Sequence, residues 1–163
     1  MSATRWLSPE EREAWIRFSA VLELLPAALD SQLSQDAGLT HFDYFALAML
    51  SEAPDHVLRA SALAARTNAT LPRLSKVIGR LETRGLVNRY PCPEDKRATN
   101  VALTKSGWQK VVATAPGHVE NVRAMVIDAL TPEQLKQLSA ISASLLTRLD
   151  PAGKMLASVP QHE

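Results

Sequence analysis

Arg73, Lys76, Arg80 and Arg84 recur at spacings of three and four residues. On an α-helix, where each residue advances about 100°, such residues form a stripe along one side. A row of cations repeated once per turn is equipped to hold a polyanion rather than to break a bond. Lys96 and Arg97 follow in a stretch rich in proline and charge. From Arg59 to Lys105 the chain has ten basic and three acidic residues, a net of +7, while the remainder carries −6 and the whole chain only +1. Charge gathered in this way points to a polyanionic partner for that segment alone. The plain alternative is a solvated charged surface.

Other chemistries fit poorly. There is no glycine-rich phosphate loop and no nucleophile motif. Glu94 and Asp95 are adjacent acids, but a polar turn supplies no desolvated site for acid–base work. The four histidines and the single cysteine lack zinc-ligand spacing, so neither a metal nor another cofactor is expected. Cys92 has no intramolecular disulfide partner, which suits a reducing cytoplasm. No run of about 18 apolar residues exists to span a membrane. Residues 1–7 lack the basic-then-apolar pattern of a secretory signal.

The elements that must position the cations can be read from caps and periodicity. Aromatic residues make up 5% of the chain, so aliphatic side chains must fill a mainly helical core. Ser8, Pro9 and Glu11 form a helix start with a capping box. Trp15, Phe18, Leu22, Leu25 and Leu29 give the following helix an apolar stripe, with Pro26 expected to kink it and Gly38 to end it. That stripe is too long for a small lobe to cover, and a second chain is expected against it. A second helix spans about 40–52. Residues 57–59 read as a short strand, and Ser61 as the cap of a short helix over 62–67. Thr70 caps the helix carrying the cations, Pro72 lies in its first turn, and Leu71, Leu74, Ile78 and Leu81 form its apolar side. Gly85 suits a left-handed C-terminal cap. Residues 86–90 and 99–103 read as a β-hairpin with Lys96 and Arg97 at its tip. A helix from 104 to about 130 should bend or break at Pro116-Gly117. Thr131, Pro132 and Gln134 start the last helix, whose stripe is Leu135, Leu138, Ile141, Leu145 and Leu149.

Helix, turn, basic helix and basic hairpin in this order match a DNA-reading arrangement, in which the second helix enters the major groove and the hairpin lies beside it. At this point the chain resembles the MarR family of regulators. The motifs are Leu81-Glu82-Thr83-Arg84-Gly85-Leu86-Val87-Asn88-Arg89, then the wing Pro93-Glu94-Asp95-Lys96-Arg97 with the family's Asp-x-Arg, then Val101-Ala102-Leu103-Thr104-Lys105-Ser106-Gly107. The resemblance implies a mainly α fold with a small β-hairpin wing: a winged helix-turn-helix whose N- and C-terminal helices form a dimerisation lobe. On that reading, 8–38 and 107–150 are dimerisation helices, 39–106 is the DNA-binding lobe and 151–163 is a mobile tail.

The resemblance also implies roles. Thr70, Pro72, Arg73, Ser75 and Lys76 fall at the reading end of the recognition helix, with Arg80 nearby for phosphate and Lys96 and Arg97 on the wing. Pro72 departs from the small hydroxyl residue common there. Asp95 resembles the acid that positions the wing by pairing with an arginine. The implied function is a homodimeric regulator, not an enzyme, that binds double-stranded, pseudo-palindromic operator DNA as a repressor. A small aromatic or phenolic effector would release it from a cleft lined by Trp15, Ser19, His41, Tyr44 and Phe45. Trp15, Tyr44 and Phe45 also have a structural reading as core, and His41 one as a surface residue. Two alternatives stand beside this one: a redox-responsive regulator acting through Cys92, and a ligand-independent architectural DNA binder.

Overall fold

A computed structural model describes residues 4–155. Of the tail expected to be mobile, 156–163 lie outside the described residues, as do positions 1–3.

Helix α1, Pro9–Ala37, begins at the Ser8/Glu11 capping box and ends where Gly38 takes a left-handed conformation, φ 62°. It runs through Pro26 as one helix. Helix α2, His41–Ser51, has its own capping box from Thr40 and Asp43. After a 3-10 turn, strand β1, Val57–Arg59, leads directly into α3, Ala60–Arg66. Ser61 does not cap this helix. The chain turns helical two residues earlier than expected, with Arg59 at the cap position and no side-chain cap bond.

Helix α4, Leu71–Thr83, is capped by Thr70, whose hydroxyl accepts the Arg73 N–H. Its buried side is Leu74, Val77, Ile78 and Leu81. Leu71, expected in that stripe, is 53% exposed, because the first turn projects beyond the core. Strands β2, Val87–Pro91, and β3, Thr99–Leu103, form the hairpin. The sheet has three strands, the short β1 pairing with the hairpin. β3 is central, with Leu58 opposite Val101 on one edge and Arg89 opposite Val101 on the other.

Helix α5, Lys105–Val122, contains Pro116 without breaking there. The irregularity comes later, as a π-helical turn at Arg123–Ile127. A Cβ at Gly117 would lie 3.5 Å from the Gln32 amide nitrogen, so α1 packs closely at the Pro-Gly step and supports the helix where one backbone bond is missing. Helix α6, Pro132–Leu149, starts at the Thr131/Gln134 box and has no fully buried residue.

The core lies in the middle of the chain, where Leu47, Leu50, Leu63, Leu74, Ile78, Leu81, Val87 and Val101 are fully enclosed. It ties α2, α3 and α4 to the sheet. The outer helices are different: Trp15, Ile16, Leu22, Leu138 and Ile141 all stand in solvent on the single chain.

Candidate nucleic-acid interface

Helical phase divides the α4 surface into three strips. Opposite the core lie Pro72, Lys76, Gly79 and Thr83. One flank carries Arg73, Arg80 and Arg84. The other carries Ser75 and Glu82. Pro72, Arg73, Ser75 and Lys76 are all exposed near the start of the helix, where Thr70 fixes its entry.

The basic residues of the segment divide by partner. Arg80 is bonded to Asp43, a carboxylate buried at the start of α2. Arg84 Nη1 donates to the Gly38 carbonyl at 2.9 Å. Arg89 holds Glu82 through its backbone N–H at 2.9 Å and its guanidinium at 3.0 and 2.7 Å, tying β2 to α4. Side-chain and then backbone hydrogen bonds from Arg89 hold the Glu82 carboxyl below its ordinary pKa. Arg59 approaches Glu94 at 3.9 Å. Among the described residues, the side chains of Arg73, Lys76, Lys96 and Arg97 form no ion pair.

These contacts change two expectations. Arg80, expected near phosphate, has an intramolecular partner. Asp95 meets no guanidinium among the described residues; its carboxylate accepts the Arg97 backbone N–H at 3.1 Å, and its own backbone joins the turn through Cys92 and Ala98. It shapes the wing as a local turn residue, while the ion pair at the wing's base belongs to Arg59 and Glu94.

Cys92 is 1% exposed at that base. Its thiol donates to Glu94 at 3.0 Å and accepts from Arg59 Nη2 at 3.5 Å. The thiol hydrogen bond, then a backbone bond, then Arg59 lower the Glu94 pKa.

The residues expected to line an effector cleft are only partly together. His41 stacks on Phe45, with ring centroids 6.4 Å apart. Tyr44 lies 4.7 Å from the ring of His118, a residue on α5 that sequence reasoning missed. His41 and His118 are 6.4 Å apart, so the cluster bridges α2 and α5. Burial lowers both histidine pKa values; Asp30 opposes this at His41, whereas the charge of His41 adds to it at His118. Burial raises the Tyr44 pKa. His118 Nδ1, Asn121 Nδ2 and Ser19 Oγ are enclosed without hydrogen-bond partners among the described residues. Trp15 is 55% exposed, on the outer stripe of α1. Nothing in the periodicity of α5 marks His118, because its partners sit on another helix.

A three-helix lobe, a central sheet and a cation-bearing second helix beside a β-arm define a winged helix-turn-helix protein. A sequence profile of the MarR family matches residues 37–98. Sco3205 of Streptomyces coelicolor, a MarR family transcriptional regulator solved in complex with DNA, superposes with a TM-score of 0.88 at 42% identity over 93% of this chain and 94% of that one. AbsC, a MarR family regulator of the same organism, gives 0.79 at 38% identity over 94% and 98%. The transcriptional repressor YetL of Bacillus subtilis is 30% identical over 112 residues, 69% of this chain and 66% of YetL. The chain belongs to the MarR family of transcriptional regulators, which are DNA-binding proteins rather than enzymes. No helix among the described residues is long and apolar enough to cross a membrane.

Proposed function

We propose that two copies of this chain bind a pseudo-palindromic DNA operator, each inserting α4 into the major groove and laying the wing beside it. The carrying observation is the exposed row of cations without ion pairs: Arg73 and Lys76 on the first turns of α4, with Lys96 and Arg97 on the wing. Thr70, Pro72 and Ser75 complete the surface presented to the groove. The major groove, about 12 Å wide, admits one helix, and symmetric half-sites are then about 10 bp apart.

Dimerisation is supported by α6, which encloses none of its side chains within its own chain, and by the exposed stripe of α1. An amphipathic helix of this length is stabilised chiefly by burying its apolar side. Residues 8–38 and 107–150 supply this lobe, and 39–106 the reading lobe.

The regulator acts as a repressor by occupying promoter DNA, and a small aromatic effector releases it. The α2–α5 junction at His41, Tyr44, Phe45 and His118 supports this, because it couples the reading lobe to a dimer helix and encloses unpartnered polar atoms. An effector binding more tightly to the dimer shape with mismatched spacing would shift the population off DNA.

The test is titration onto the DNA upstream of its own coding sequence with random competitor present, followed by a panel of aromatic acids. A large preference for the upstream DNA, abolished by one of the acids, is expected. Equal affinity for both DNAs would show an architectural binder instead. Replacing Ile141 by Asp should give a monomer in sedimentation and remove operator binding. A dimer that survives the change would refute the assigned interface.

A further inference from the structure

The first turn of α2 lies along the flank of α4. There the guanidinium carbon of Arg73 sits 4.5 Å from the centroid of the Phe42 ring. Phe42 is partly buried and packs on the core, so the contacts that hold the fold also hold the ring in place. Further along the same flank, Arg80 is bonded to Asp43 and Arg84 to the Gly38 carbonyl. Arg73 alone of the three flank arginines keeps its guanidinium N–H groups without a hydrogen-bond partner among the described residues, and its guanidinium lies over the ring.

Resting on the DNA-binding reading above, we propose that Phe42 is a positioning residue for base recognition: its ring steadies the Arg73 guanidinium and leaves the N–H fork free to meet O6 and N7 of a guanine.

The two interactions use different parts of one group. An aromatic ring attracts the flat side of a guanidinium, whereas bidentate recognition of guanine uses its edge. Arginine carries large side-chain entropy, and holding the group before the duplex arrives removes part of the ordering cost of binding. The Thr70 cap and Pro72 fix the backbone of the same turn, so Arg73 is constrained at both ends. A lysine at this position would offer a point charge and no fork.

The experiment selects a preferred duplex from a randomised pool with the wild-type dimer. Affinities are then measured for that duplex, for versions with each half-site guanine replaced by adenine, and for random DNA, beside thermal melting. Phe42→Leu should melt cooperatively, bind the selected duplex about 2–5-fold more weakly, bind random DNA as before, and lose part of the guanine-to-adenine penalty. Phe42→Trp should restore both affinity and penalty. Arg73→Ala should abolish the penalty, and adding Phe42→Leu to it should cost nothing more. If Phe42→Leu does not fold, Phe42→Met is read by the same criteria. The proposal is overturned if the leucine and tryptophan variants behave alike, if the loss is equal on selected and random DNA, or if it persists in the Arg73→Ala background. A wild-type protein for which no duplex is preferred would overturn the regulator reading itself, a result separate from these.

Discussion

The Arg80 guanidinium on α4 is bonded to the Asp43 carboxylate on α2 across the boundary of the core, with side chains 46% and 3% exposed respectively. The same carboxylate accepts the Thr40 backbone N–H at 3.0 Å and so closes the cap of α2. A buried carboxylate must be satisfied by partners of this kind, since burying one alone costs far more than the pair returns. One contact therefore fixes the start of α2 and the angle at which α4 leaves the lobe.

Arg80→Ala would leave Asp43 enclosed with one donor fewer. Stability should fall by about 1–3 kcal/mol, read as a lower denaturation midpoint. The salt dependence of DNA binding should stay as it was. A changed salt slope with an unchanged midpoint would mean that Arg80 meets phosphate instead.

Arg97→Ala should act in the opposite way. Arg97 is exposed on the wing and its guanidinium has no ion pair among the described residues. Melting should be unaffected, operator binding should weaken, and the slope of log affinity against log salt should shrink by about 0.9 for one lost phosphate contact. Titration at several salt concentrations decides the matter, and parallel lines would remove the wing from the interface.

Gly107 sits where α5 meets the base of the wing. A Cβ there would be 2.1 Å from the Leu86 carbonyl oxygen and 2.7 Å from Leu103 Cδ1. The Thr104 hydroxyl donates to the Gly85 carbonyl at 2.7 Å and pins the same junction. Gly107→Ala should destabilise the protein by about 1–3 kcal/mol through overpacking. Because the obstacle is backbone, the wing must move, so operator affinity should drop as well. Both are measurable on one preparation, and a fully stable Gly107→Ala protein would contradict the packing.

Acid should weaken the junction between α2 and α5. His41 and His118 both have pKa values below the ordinary 6.5, with burial as the leading cause. The unfolded chain then binds more protons, so stability rises with pH. The contribution is fully present above about pH 6.5 and is lost as pH falls through the lowered values. Asp30, which accepts the His41 backbone N–H at 2.8 Å, tempers the effect at His41, and Tyr44 stays neutral throughout. Denaturation midpoints measured from pH 8 to pH 5 should fall for the wild type and fall less for His118→Gln. Identical profiles would exclude His118 as a source of the pH dependence.

What could be read without the tertiary structure was local. The caps at Ser8, Thr70 and Thr131 lie within three residues of the donors they satisfy, so their residue types carry the signal. The family motifs around the wing are also contiguous. One expectation failed where propensity met packing: Ser61 lost its role because β1 passes straight into α3. Helix α5 continues through Pro116 without a break.

The amino-acid order by itself determined the succession of helices, the hairpin, the concentration of positive charge and the apolar outer stripes, because each depends on neighbours within a turn or two. Only the folded chain decided which cations stay available. Arg80 finds Asp43 across 37 positions and Arg84 finds Gly38 across 46, whereas Arg73 rests on a ring and Lys76 points outward. Helical spacing fixes the side of a helix a charge occupies, but whether a carboxylate, a carbonyl or an aromatic ring waits there is set by how helices distant in the chain pack together.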